Sequence, residues 1–105
     1  MTFKQLNTLL KSTGYPLAYY QIEKPPNIPF IVYMDGGSDV YGDDFSNKIT
    51  VQNYVVELYT DKKDLTAEGK VESVLNFTGF NKSENYIDSE KLYQIVYEFT
   101  TTEKR

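Results

Sequence analysis

Residues 35–44 carry four aspartates, Asp35, Asp39, Asp43 and Asp44, interleaved with Gly36, Gly37 and Gly42. An oxygen-rich cluster of this kind can hold a hard cation such as calcium or magnesium. Its spacing lacks the order D-x-[DN]-x-[DN]-G with a distal glutamate that shapes an EF-hand loop. No GKS or GKT follows the glycines, so they build no phosphate cradle. A solvated, turn-rich acidic loop is what this composition describes. Elsewhere the chemistry is sparse. The chain has no histidine and no cysteine, which removes the commonest general base, the commonest metal ligand and the thiol nucleophile. With no nucleophile and base pair to seed a site, the expectation is a protein that is not an enzyme and needs no cofactor or metal. A carboxylate or metal-dependent enzyme using residues 35–44 is the distant alternative.

At 105 residues the chain fits one domain, 1–105, with a single core. The absence of cysteine excludes a disulfide scaffold. The start, MTFKQLNTLLKS, is amphipathic and unlike a secretory signal, and no apolar run approaches the roughly 20 residues of a membrane span. A soluble, intracellular protein with no membrane partner is expected. The net charge of -4, with Arg105 the sole arginine, leaves no basic footprint for phosphates or base edges, so direct nucleic-acid binding is not expected. Ten tyrosines and six phenylalanines suit half-buried strands and protein interfaces.

Periodicity places the elements. Thr2 and Gln5 form a capping box ahead of a helix whose stripe is Phe3, Leu6, Leu9 and Leu10, with Gly14 as its left-handed stop. A strand is expected over 17–22, with Ala18, Tyr20 and Ile22 on one face, broken by Pro25 and Pro26. The run PFIVYM, 29–34, is apolar throughout and reads as a central strand covered on both faces. Residues 35–47 are expected to form a flexible acidic loop. The strand over 48–60 puts Ile49, Val51, Val55 and Tyr59 on one face and Tyr54, Val56 and Leu58 on the other, so both faces must be partly covered or a β-bulge must reset the phase.

Asp61 or Asp64 can cap a second helix with Leu65, Ala67, Val71, Val74, Leu75 and Thr78 as its buried stripe and Gly79 as its stop. A short strand near Tyr86 and Ile87 leads into a last strand in which Tyr93, Ile95, Tyr97 and Phe99 alternate with polar residues, and 101–105 should fray. The fold class is α+β, a mainly antiparallel sheet of four or five strands with two helices packed on it, in the order α-β-β-β-α-β-β.

Three stretches carry a resemblance: Pro25 and Pro26 before the apolar strand Phe30 to Tyr33, the ELYT-to-helix junction from Glu57 to Thr60 with Glu68, and the YEF of Tyr97 to Phe99. Together they make almost the whole chain similar to the tail-terminator, or tail-completion, proteins of long-tailed phages and prophages of Gram-positive bacteria. The resemblance implies a ring, hexameric in the family's pattern, that caps the tail tube and joins it to the head connector. Its implied partners are further copies of itself, the major tail tube protein and the head-tail connector protein. Its implied place is the host bacterium's cytoplasm during assembly and then the virion's tail or neck. A head-tail connector or stopper protein of the neck is the alternative. The interface expected on this reading is the acidic loop, through Asp35, Asp39, Tyr41, Asp43, Asp44 and Phe45.

Overall fold

Thr2 opens the fold as its sequence context requires. Its hydroxyl accepts from the Gln5 backbone N–H at 3.1 Å, and its own N–H donates to the Gln5 side chain at 2.7 Å, so two otherwise orphaned donors are satisfied at helix α1 (Phe3–Lys11). The computed structural model describes residues 1–21, 27–42 and 48–104, with side chains through 102. After α1 come β1 (Leu17–Tyr19), β2 (Phe30–Tyr41), β3 (Ile49–Thr60), α2 (Leu65–Val74), β4 (Asn81–Ile87) and β5 (Leu92–Lys104). The five strands form one sheet in the order β1-β2-β3-β5-β4, antiparallel except for the β1–β2 pair. The α+β class and the element order are those expected from the sequence.

Both helices lie on one face of the sheet. Leu6 and Leu10 of α1 and Ala67, Val71 and Leu75 at α2 share a buried cluster with Ile31, Tyr33, Tyr54, Val56, Leu58, Ile95, Tyr97 and Phe99. These sheet residues sit opposite one another in register, Leu58 facing both Ile31 and Ile95 and Tyr54 facing Phe99, so alternate residues of three strands make one apolar layer. Buried tyrosine hydroxyls find partners at its rim. Tyr54 donates to the Met1 carbonyl at 2.9 Å, and Tyr33 accepts from the Asn7 side chain at 2.8 Å. Four consecutive β2 residues, Phe30 to Tyr33, are buried, as expected for an inner strand.

Several expected boundaries shift. Strand β1 stops at Tyr19, because Tyr20 turns to φ +73 and stands exposed; Ile22, Pro25 and Pro26 lie outside the described residues. Helix α2 is capped by Asp64, whose carboxylate accepts from the Ala67 N–H at 3.0 Å. It ends at Val74 and not at Gly79, since Leu75 leaves helical geometry (φ -97, ψ 8). Leu65 is 72% exposed. The docked face runs through Ala67, Glu68, Val71 and Leu75, and Leu65 lies about 200° around the helix from Ala67. The segment expected as loop from Asp35 is strand as far as Tyr41, and the tail expected to fray is strand to Lys104. Both join the ladder because β3 offers partners for its full length, pairing Tyr41 with Ile49 on one side and Lys104 with Ile49 on the other.

The buried face of α2 yields a stability test. Val71→Asp places an unpaired carboxylate in the core and should cost about 4 kcal/mol, whereas Leu65→Asp on the exposed face should change stability by less than about 0.5 kcal/mol. Urea unfolding followed by circular dichroism separates the two outcomes.

Candidate protein interface

Strands β2, β3 and β5 outrun everything that could cover them. β1 pairs with β2 only as far as Tyr33, and β4 pairs with β5 only as far as Glu98. Beyond those points three strands continue alone as an arm, built by residues 38–41, 49–52 and 101–104, with Ser38 opposite Gln52 and Gln52 opposite Thr101. The chain is correspondingly elongated, 49 × 26 × 23 Å, with a radius of gyration of 15.2 Å against about 13 Å for a compact domain of this length.

The arm begins at a bulge. The register slips between Asp35, opposite Tyr54, and Ser38, opposite Gln52, so β2 carries one residue more than β3 across this step. Gly37 sits there at φ +98, a conformation that favours glycine. A Cβ on Gly36 would stand 3.1 Å from the Asn53 Cβ and 3.2 Å from Val55 Cγ2. Asp35 anchors the bulge: its Oδ1 accepts from the Gly37 N–H at 2.7 Å and from Gln52 Nε2 at 2.8 Å. Of the residues expected at the interface, Asp35 is therefore a structural acceptor, while Asp39 and Tyr41 are exposed on the arm. Asp43, Asp44 and Phe45 lie outside the described residues. Among the described residues no three acidic side chains converge as metal ligands.

Past the bulge, the ladder sets which side chains share a face. Asp39, Tyr41, Ile49 and Val51 lie on the face away from the helices, with Tyr41 directly opposite Ile49 and Asp39 opposite Val51. Tyr41 is 59% and Ile49 39% exposed. The same open face carries a depression of about 800 Å³ that crosses the sheet from Gly36 through Asn53, Val55, Glu98 and Thr100 to Asn81.

On the helix side, a second groove of about 610 Å³ is lined by Met1, Gln5, Thr8, Leu9, Phe77 and Thr101. Phe77, carried outward by the turn after α2, packs edge-on against Phe99 (5.9 Å, 89°) yet remains 47% exposed. Tyr41 and Ile49 are exposed neighbours on the arm, and Phe77 is exposed at the groove.

Sequence patterning hid a further cluster. Glu68 reads as one more solvated acid, but it is buried on the docked face of α2. Lys82 from β4 reaches its Oε1 at 2.7 Å and Lys63 its Oε2 at 2.9 Å. The same lysines bond Glu72 (2.8 Å) and Glu84 (2.7 Å), and the Tyr97 hydroxyl donates to Glu72 at 2.8 Å. Burial alone would raise the Glu68 pKa, but Lys82 and Lys63 outweigh it and hold the carboxyl below its usual range. Hydrogen bonds to Glu84 and Glu68 push Lys63 up to about 12, and those to Glu68 and Glu72 raise Lys82. Burial, then Glu72, raises Tyr97 as well. Across the sheet, burial and then Glu57 push Tyr59 up to about 12. These tyrosines stay protonated at neutral pH and act as hydrogen-bond donors, and the carboxylate–lysine cluster clamps α2 onto the edge strand β4.

Two outcomes follow from this geometry. Asp35→Ala should cost about 1 kcal/mol through the lost bulge anchor, with Asp39→Ala within about 0.5 kcal/mol of wild type, as read by denaturant unfolding. Because the Glu68 pKa is depressed in the folded state, its stabilisation is present above the ordinary carboxylate range and is lost as pH falls through the depressed value. The raised lysines contribute below the ordinary lysine pKa and lose that contribution as pH rises through their folded-state values, about 12 for Lys63. Glu68→Gln should thus lower stability by about 1–2 kcal/mol at neutral pH, with the gap to wild type closing in acid.

No family model matches the chain, and no curated protein matches it. Among solved structures it is similar to a chain in the virion of a native gene transfer agent particle, with a TM-score of 0.62 and 16% identity over 98% of this chain and 91% of that chain. At that identity the likeness shows a shared fold over nearly the full length of both chains.

Proposed function

We propose that the protein is a non-enzymatic phage or prophage virion component, a tail terminator that forms a ring on the end of the tail tube and joins it to the head connector. The observation that carries this reading is the three-stranded arm, which leaves the body without helix cover and presents Tyr41 and Ile49 to solvent. A surface of this kind gains from a protein partner and performs no chemistry. Shared fold with a chain of a gene transfer agent virion supports the virion setting, and the tail-terminator resemblance of the sequence supplies the finer assignment. Closing a tube requires a rigid body with one contact to its own copies and one to the tube, and a ring is the natural closure of head-to-tail contacts. The acidic stretch holding Asp43 and Asp44 is the proposed tube-facing part.

The test is to add the purified protein to polymerising tail tube protein of the same phage or prophage and measure tube lengths by electron microscopy. The expected result is short tubes with a ring on one end, and loss of that capping in the Asp43→Lys, Asp44→Lys double variant while its circular dichroism stays native. Tubes of unaltered length, together with binding to the head connector alone, would reassign the protein to the neck as a connector or stopper.

A further inference from the structure

The outer face of the arm and the helix-side groove lie on opposite faces of the sheet, with exposed Asp39 on the first and exposed Lys4 beside the second. The arm ends in an apolar pair, Tyr41 and Ile49, flanked on the same face by Asp39 and Val51. The groove is an apolar slot between the start of α1 and Phe77, with Leu9 and Met1 on its wall and the Thr8 and Gln5 side chains along it. Residues 1–13 contain Lys4 and Lys11 and no acid, whereas 35–44 contain four aspartates and no base. Lys4 is exposed one turn before Thr8, which sets it at the groove's rim. Neither Lys4 nor Asp39 makes an ion pair among the described residues. The groove's Thr101 belongs to the base of the arm, opposite Gln52. An antiparallel three-stranded ribbon does not fold back on its own base, so the complementary surface must come from another molecule.

We infer that the arm of one copy docks in the α1–Phe77 groove of the next, seating Tyr41 and Ile49 against Leu9 and Phe77 and bringing Asp39 to Lys4. The occupant is thus a second copy of this chain. Such a contact joins two different patches, so it is heterologous, and repetition around an axis closes it into a ring. The apolar pair supplies the buried contact, and the opposite charges fix its register. This inference rests on the ring reading above and specifies which surfaces of that ring meet.

The chain's lack of cysteine allows a direct test by engineered disulfides. A Tyr41→Cys protein is mixed with a Thr8→Cys protein and oxidised gently. Both positions are exposed, so neither change threatens the fold. A covalent heterodimer is the expected product, and one chain bearing both changes should give a ladder of multimers. A Tyr41→Cys protein mixed with Ser83→Cys, exposed on β4, should give none.

Charge exchange supplies the second arm of the experiment. Asp39→Lys should weaken self-association about tenfold by analytical ultracentrifugation, and adding Lys4→Glu should restore it. Predominant Tyr41→Cys homodimers, or a disulfide closed within one chain of the double variant, would overturn the proposed contact. A ring-sized species that forms normally without the Tyr41–Thr8 crosslink would overturn the contact while leaving the ring reading intact. A chain that stays monomeric both alone and on capped tubes would overturn both.

Discussion

A mismatch of lengths governs this molecule. β3 pairs with β5 through an unbroken register from Ile49–Lys104 to Thr60–Tyr93, so the ladder extends for about 40 Å. Helices α1 and α2, nine and ten residues long, span only about 14 Å each. Two such helices side by side can roof one end of the sheet and no more. The buried layer accordingly stops near Tyr54 and Phe99, where Phe3 packs on Tyr54 at 4.8 Å and Tyr54 stacks on Phe99 at 5.1 Å. Past that line no strand residue belongs to the buried core cluster, and α1 reaches no farther than the groove beside Thr101.

The roofed end is reinforced where its own strands are weakest. Strand β4 is an edge with mostly exposed side chains, and such an edge holds poorly by ladder bonds alone. Lys82 on β4 and Lys63 before α2 grip the buried Glu68 carboxylate together, tying edge strand, helix and sheet at one point. On the other side the Asp35–Gly37 bulge marks where body gives way to arm. The extra residue there lets β2 leave the buried layer and continue beside β3 in a new register. The molecule is thus divided along its long axis, with a clamp in the body and the arm beyond it.

Much of the body is legible in the sequence because its signals are local. Thr2 and Gln5, Asp64, and the alternation of Ile95, Tyr97 and Phe99 each act within a few residues, and each appears as its pattern requires. The arm is not legible, since aspartate and glycine have low strand propensity and residues 35–41 are strand only because β3 provides distant partners. Glu68 was hidden for the same reason: its neutralising lysines lie five and fourteen positions away, and no helix-face pattern foretells a charge held on the buried side. Leu65 errs in the opposite direction, an apolar residue at a helix start that faces solvent. Of the expected interface, Asp39 and Tyr41 are found exposed together on the arm, Asp35 is taken up by the bulge, and Phe77 of the groove gave no signal because it lies in the turn that follows α2.

A ribbon exposing Tyr41 and Ile49 gains from a neighbour, and that links the length mismatch to the assembly role proposed above. Hydrogen exchange compared between dilute monomer and the assembled state tests the link most directly, amide by amide. The account predicts rapid exchange in the monomer for residues 38–41 and the outer end of β5, strong protection of both on assembly, and no change for the body amides of Val56, Leu58 and Ile95. Arm amides as protected in the monomer as in the assembly, or new protection confined to the body, would contradict it.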